Sequence, residues 1–198
     1  ISFICFAFLG LSGSFIKNYD LGLAVLGFFA LSLAYSLFLK KIPIVEMLVI
    51  PFNFVLRALV GAIAINVHVS TWLILITFSL AAYLAVSKRK NEFLVLGTGP
   101  HRSVLQFYSK ILLYRIQLTT LITTAILYIL YTIFSEHSQW MIVTIPFVLY
   151  GLLRYMTISN KKTISDDGPT NIFFSDTRLQ AVIILWTLMV LGILIINF

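Results

Sequence analysis

The chain is a succession of long apolar runs joined by short polar connections, a pattern that few folds can accommodate. Seven runs are recognised, at residues 1–16, 21–39, 43–65, 71–87, 111–134, 140–159 and 179–197. A helix of about 20 residues, rising about 1.5 Å per residue, crosses the hydrocarbon layer of a bilayer. Because backbone groups in lipid must be paired within their own segment, and because the runs lack the alternation of barrel strands, helices are favoured. We predict an all-α, multi-pass transmembrane helical bundle forming a single domain over residues 1–198.

Composition agrees with a membrane protein and explains the positive charge. The chain is 60% hydrophobic and only 11% charged, and its formal net charge is +7. In a soluble protein that charge would suggest nucleic acid, but in a membrane protein it is typical of basic cytoplasmic loops. We therefore expect no nucleic-acid partner. Cys5 is the single cysteine of the chain, so no disulfide or thiolate metal site can form within it.

The basic residues alternate between the connections and predict the topology. The connections at 17–20, 66–70 and 135–139 together hold one basic residue, Lys17. The other connections, including the long loops expected at 88–110 and 160–176, carry nine basic residues: Lys40, Lys41, Lys88, Arg89, Lys90, Arg102, Lys110, Lys161 and Lys162. Because cytoplasmic loops are enriched in lysine and arginine, we place this second set in the cytoplasm.

Three polar residues interrupt the apolar run at 43–65. Glu46 and Arg57 are eleven positions apart, which brings them to within about 20° of one helix face, and Asn53 falls on that face as well. One interpretation is a packing stripe in which Arg57 pairs with another helix. The interpretation we favour is a water-filled cavity open to the cytoplasm, because an intramembrane arginine is costly without one.

Two basic groups lie at the expected cytoplasmic ends of the runs. Tyr35 and Lys40 have the composition of an interfacial anchor, which is sufficient to explain them. The segment 88–92 reads Lys-Arg-Lys-Asn-Glu and suits either a solvated flank or a phosphate-rich ligand, since arginine and lysine both bind phosphate. Arg102 and Lys110 add charge further along, and residue types alone leave these two interpretations open.

The remaining polar residues favour structural roles. Asp176 precedes an apolar run and has the position of a helix N-cap, with Arg178 two residues later. His68 and His137 are expected outside and His101 inside, so the three cannot share one metal ion.

Several short groups of residues follow one another in order along most of the chain. They are 35–40 (YSLFLK), 54–57 (FVLR) with Gly61 and Ala64, 87–92 (SKRKNE), Arg102 with Leu105 and Tyr108, and Gly168-Pro169 with 176–180 (DTRLQ) and Trp186. In this order they resemble the UbiA superfamily of membrane-embedded prenyltransferases, and within it the decaprenyl-phosphate phosphoribosyltransferase branch. The aspartate pair that ordinary prenyl-diphosphate users carry near the position of Lys88 is replaced here by cations.

The resemblance implies a nine-helix fold, of which the seven runs would be the third to the ninth. It also implies an aspartate-rich motif that holds Mg²⁺ on a diphosphate. The first run, 1–16, is shorter than the about 20 residues of a full span, so we expect the chain to begin inside a helix. The motif is absent here, so we also expect the chain to lack the main metal site and to be inactive alone.

The implied reaction is transfer of 5-phosphoribose from phosphoribosyl pyrophosphate to a polyprenyl (decaprenyl) phosphate. The implied setting is the bacterial inner membrane, with the active side cytoplasmic and a place in cell-wall biosynthesis. By resemblance, the substrate-binding residues are Tyr35, Lys40, Arg57, Lys88, Arg89, Glu92, Arg102, Asp176 and Arg178. Alternatives are a UbiA-type prenyltransferase with an aromatic or other lipophilic acceptor, and a transporter or non-enzymatic membrane protein.

Overall fold

The computed structural model describes residues 10, 14–15, 17–96, 103–134, 139–160 and 169–196. Within these residues the chain is helical and contains no strand. Six segments are long and apolar enough to cross a membrane: Tyr19–Leu37, Val45–Ala64, Thr71–Val95, Lys110–Phe134, Trp140–Ser159 and Thr177–Ile195. The predicted multi-pass helical bundle is therefore confirmed. Most of the first apolar run, 1–16, lies outside the described residues.

Seven α-helices and three short 3₁₀ segments make up the described chain. The helices are α1 (Tyr19–Leu37), α2 (Val45–Ala64), α3 (Thr71–Leu96), α4 (Lys110–Phe134), α5 (Ile145–Ser159), α6 (Pro169–Ser175) and α7 (Thr177–Ile196). The 3₁₀ segments are Leu39–Lys41, Ser103–Phe107 and Gln139–Thr144.

The chain divides into two compact units, Ile1–Ala81 and Ala82–Phe198, which we call unit 1 and unit 2. The boundary falls within α3. The prediction of a single domain over the whole chain stays a prediction.

In unit 1, α1 and α2 form an antiparallel pair. Lys17, next to the start of α1, donates a hydrogen bond of 2.7 Å from Nζ to the carbonyl of Ala64 at the end of α2. Midway along the pair, the Asn53 amide of α2 donates to the Ser32 hydroxyl of α1 over 3.1 Å. Such bonds between helices pair polar groups that would otherwise face lipid.

The end of α2 is closed by an asparagine in the left-handed region. Asn66 has φ of 54°, a conformation that asparagine tolerates better than most residues. The amide of Val67 bonds the carbonyl of Ala62, and the amide of Asn66 bonds that of Ile63. This is a Schellman motif, which satisfies the last carbonyls of the helix.

Unit 2 is organised around a buried cluster drawn from α3 to α7. The cluster consists of Tyr83, Leu121, Leu152, Tyr155, Ile158, Ile172 and Leu179. Tyr83 donates a hydrogen bond of 3.0 Å to the carbonyl of Leu152 and packs edge-on against Tyr155. Trp186 of α7 donates to the Tyr128 hydroxyl of α4 over 2.8 Å. These bonds join α3 to α5 and α4 to α7 in unit 2.

Two segments predicted as loops are partly helical, which corrects the sequence interpretation. The predicted run ended at Ser87, whereas α3 continues to Leu96, so the segment 88–92 is helical. The loop at 160–176 contains α6. Residues 88–96 include neither glycine nor proline, so nothing ends the helix before Gly97. Charged residues mark the expected membrane edge, but they do not end a helix.

Candidate functional site

The candidate residues of unit 1 lie on the paired helices and on their turn. Tyr35 is half-buried on α1, and Lys40 is exposed on the 3₁₀ turn that follows it. Arg57 stacks its guanidinium over Phe28 of α1 and Phe54 of α2, at 5.2 and 5.6 Å from the ring centroids. Such cation–π contacts stabilise a cation beside aromatic rings.

The polar stripe of α2 contacts α1 through two of its three members. Asn53 bonds Ser32, and Arg57 lies over Phe28. Glu46 is fully buried. These contacts are those of the packing stripe, the interpretation that we did not favour, while the cavity open to the cytoplasm stays a prediction.

The candidate residues at the end of α3 differ in exposure. Lys88 is exposed and makes no hydrogen bond or ion pair with other described residues. Arg89 is only 2% exposed, and its guanidinium pairs with the carboxylate of Glu92 one turn later. The pair fixes the orientation of the Arg89 fork along the helix, and Lys88 remains available to an external anion.

Lys90 forms a buried hydrogen-bonded junction that the sequence interpretation missed. It is 4% exposed, and its Nζ donates to Gln117 Oε1 of α4 and Asn160 Oδ1 after α5, both at 2.7 Å. The same ammonium lies 4.6 Å from the ring centroid of Tyr114. Because a buried cation is costly without such partners, this arrangement holds three helices at one end of unit 2.

Gln117 completes this junction from α4. Its side chain has no exposed surface, and its Nε2 donates to Ser87 Oγ at 2.9 Å and to Ser159 Oγ at 3.5 Å. We call Ser87, Lys90, Gln117, Ser159 and Asn160 the amide junction. The sequence signal that could have revealed this junction is Gln117 itself, a polar residue inside the apolar run 111–134. Polar residues at such positions need hydrogen-bond partners.

A pocket of about 610 Å³ opens beside the amide junction. Its polar lining consists of Lys90, Lys110, Tyr114, Arg115 and Asn160. Three of these residues are cations: Lys90, Lys110 and Arg115. Among the described residues, no carboxylate forms an ion pair with any of the three. The pocket therefore carries a local excess of positive charge that the described chain does not neutralise.

Asp176 caps α7 and braces it against α5. Its Oδ1 accepts a hydrogen bond of 2.8 Å from the amide of Leu179, which confirms the predicted N-cap. Its Oδ2 accepts one of 2.6 Å from the Arg154 guanidinium. The bond from Arg154 lowers the pKa of this carboxyl; the Leu179 amide and the charge of Arg178 act in the same direction.

Two further candidates are Arg178 and Arg102. Arg178 is exposed at the start of α7. Arg102 lies outside the described residues, as do His101 and His137.

The described part of the chain contains no group of three histidine, cysteine, aspartate or glutamate side chains able to hold a metal ion.

The decaprenyl-phosphate phosphoribosyltransferase of Corynebacterium glutamicum is 27% identical over 183 residues, which cover 87% of this chain and 54% of that protein. The enzyme of the same name from Mycobacterium tuberculosis is 26% identical over 186 residues, covering 89% and 59%. The chain is similar to decaprenyl-phosphate phosphoribosyltransferases. The resemblance that the residue groups indicated is thus confirmed.

The matches cover most of this chain but only part of each relative. A third relative of that name, from Mycolicibacterium smegmatis, is 25% identical and covers 84% of the chain and 56% of its own length. The chain thus spans a little more than half the length of the curated relatives that it matches. No protein-family model matches the chain.

Proposed function

We propose that the full-length protein transfers 5-phosphoribose from phosphoribosyl pyrophosphate to decaprenyl phosphate or a related polyprenyl phosphate. The observation that carries this proposal is the similarity, over 84–89% of the chain, to enzymes named for that transfer. The cations at the end of α3 support it, because both substrates are phosphate esters that arginine and lysine bind well.

The proposed reaction needs charge placement more than proton transfer. A phosphate oxygen of the lipid attacks the anomeric carbon of the ribose, the bond from that carbon to the pyrophosphate oxygen breaks, and pyrophosphate leaves. The lipid phosphate is already anionic, so no strong general base is required. Positioning of the two anions and stabilisation of the leaving group then supply most of the rate.

We assign roles to the candidate residues in each unit separately. In unit 2, Lys88 binds phosphate through its exposed ammonium, and Glu92 holds the guanidinium of Arg89 for the same purpose. In unit 1, Tyr35 and Lys40 bind the diphosphate. Arg57 faces the substrate cavity, and Arg102 and Arg178 contribute positive charge. Asp176, which caps α7 two residues before Arg178, has the least specific role.

We also propose Mg²⁺ as the cofactor of the full-length protein, where it would neutralise the pyrophosphate as it leaves. The setting that we propose is the bacterial cell membrane, with Lys88 on the cytoplasmic side, in agreement with the basic-residue bias of the connections.

Membranes containing the full-length protein test this proposal. With radiolabelled phosphoribosyl pyrophosphate, decaprenyl phosphate and Mg²⁺, label should pass into the lipid fraction. The Lys88→Ala substitution should reduce the rate about tenfold or more, since it removes a charge-assisted contact to phosphate. Lys41→Ala removes an exposed lysine outside the assigned residues and should leave the rate near wild type.

Three results would count against the assignment. Equal rates for Lys88→Ala and wild type would remove Lys88 from the site. Transfer of a labelled prenyl group from a prenyl diphosphate to an aromatic acceptor, in place of phosphoribose transfer, would favour the UbiA-type prenyltransferase. Substrate counterflow in vesicles without any product would favour a transporter.

A further inference from the structure

The pocket beside the amide junction has features of a second anion site. We propose that it binds the phosphate group of an anionic ligand, separate from the substrates of the proposed transfer. It lies where the C-terminal ends of α3 and α5 meet the N-terminal end of α4, entirely within unit 2. This inference does not depend on the proposed function.

The charge of the pocket is the first reason. Lys110 and Arg115 are exposed at its rim, and Lys90 lies in its wall. None of these three cations pairs with a described carboxylate. A phosphate ester brings negative charge and several acceptor oxygens, which match an arginine fork and lysine ammonium groups.

The fixed position of Lys90 is the second reason. An ammonium has three N–H donors, and Gln117 and Asn160 take two of those of Lys90. Both acceptors are neutral amide oxygens, so they orient the cation without neutralising it. The ammonium is thus held in one position in the wall of the pocket, so little side-chain entropy is lost when an anion binds.

The helical phase separates this pocket from Lys88. Lys88 and Lys90 are two residues apart on α3, about 200° around the helix axis, so their side chains leave the helix on opposite sides. The candidate residues Lys88 and Glu92 are four residues apart and share one face. The pocket thus lies on a different side of α3 from Lys88 and Glu92.

The apolar lining favours an amphiphilic ligand. Leu94 and Ile111 complete the pocket wall, and Ile111 is 66% exposed. Aliphatic surface beside three cations at the end of membrane-spanning helices is suited to a lipid headgroup whose acyl chains lie along α4. A soluble phosphate would bind the same cations but would leave this aliphatic surface uncovered. The experiment below distinguishes a lipid phosphate from a soluble one.

The test measures ligand retention by the purified full-length protein. Native mass spectrometry would follow dioleoylphosphatidylglycerol, with dioleoylglycerol as a lipid without phosphate, and a thermal-shift assay would follow inorganic phosphate. Arg115→Gln and the double variant Lys110→Gln/Arg115→Gln remove exposed charges, so both should fold. Lys41→Gln removes one exposed charge outside the pocket and is the matched control for Arg115→Gln.

We expect wild type and Lys41→Gln to retain phosphatidylglycerol and not dioleoylglycerol. The double variant should bind the lipid about tenfold more weakly, as the loss of charge-assisted hydrogen bonds implies. Inorganic phosphate could stabilise wild type while phosphatidylglycerol does not bind. If the double variant then loses the response to phosphate, the anion site is supported and its ligand is a soluble phosphate. If the double variant retains phosphatidylglycerol like wild type, or if neither probe binds, the proposal is overturned.

Discussion

At the scale of single residues, Asp176 shows how one side chain serves two structural purposes. One carboxylate oxygen caps the first turn of α7, and the other pairs with Arg154 of α5. The residue pattern before the last apolar run predicted the cap, because an N-cap is a local feature of the sequence. It did not predict the pair, because Arg154 is 22 residues away and only the packing of α5 and α7 brings it close.

The two contacts of Asp176 can be separated by substitution. Asp176→Asn keeps the cap, since asparagine caps about as well as aspartate, and loses the charge pair with Arg154. Asp176→Ala loses both and should be less stable than Asp176→Asn by about 1 kcal/mol. Thermal unfolding of the purified variants measures this, with Thr177→Ala as the neighbouring control. Equal stability of the two Asp176 variants would show that the cap contributes nothing.

The lowered pKa of Asp176 also predicts a pH dependence. A carboxyl whose pKa is lower in the folded than in the unfolded state stabilises the protein when ionised. That stabilisation is complete well above the unfolded value of about 3.9 and is lost as the pH falls through the lower folded pKa.

The corresponding experiment compares wild type with Asp176→Asn, which stays neutral at every pH. The difference in melting temperature between them should be constant near neutral pH and shrink below about pH 4. A difference that stays constant down to the acid limit would contradict the assignment of the pKa shift to Arg154.

At the scale of elements, α3 is where sequence interpretation and structure differ most. The change from apolar to charged residues at Lys88 predicted the end of a helix, whereas α3 continues for two more turns. The extension carries Lys90 into the amide junction, where Gln117 and Asn160 accept its hydrogen bonds. Partners supplied by other helices, which no single segment reveals, thus allow a lysine to be buried.

The amide junction makes Gln117 sensitive to substitution. Gln117→Leu would leave Lys90 short of one acceptor and remove the bond to Ser87, so we expect a loss of about 1–3 kcal/mol or more. Gln106→Leu changes an exposed glutamine of the same chain and should have little effect. Thermal unfolding distinguishes them, and a Gln117→Leu protein as stable as wild type would contradict the junction.

At the scale of the whole molecule, the six membrane-length helices imply connections that alternate between two sides. The basic-residue bias predicts that the turn with Lys41 faces the cytoplasm and that the connection with Ser70 faces outward. In a Cys5→Ser background, Lys41→Cys should react with an impermeant maleimide only in inside-out vesicles. Ser70→Cys should react in intact spheroplasts. Labelling of both positions from the same side would refute the topology.

Apolar run length and the distribution of charge were enough to predict the membrane-spanning helices, and the ordered residue groups such as 87–92 carried the resemblance to phosphoribosyltransferases. Both features can be seen in one segment of the sequence at a time. A helix in lipid pairs its backbone hydrogen-bonding groups within itself, so it can be predicted without its neighbours. Tertiary packing alone decided that Arg57 stacks on Phe28, that Asp176 pairs with Arg154 and that Lys90 is held by Gln117 and Asn160. Each of these partners is distant in sequence, and its position depends on how helices pack against one another. The basic pocket beside Lys90 follows from that packing and from no motif.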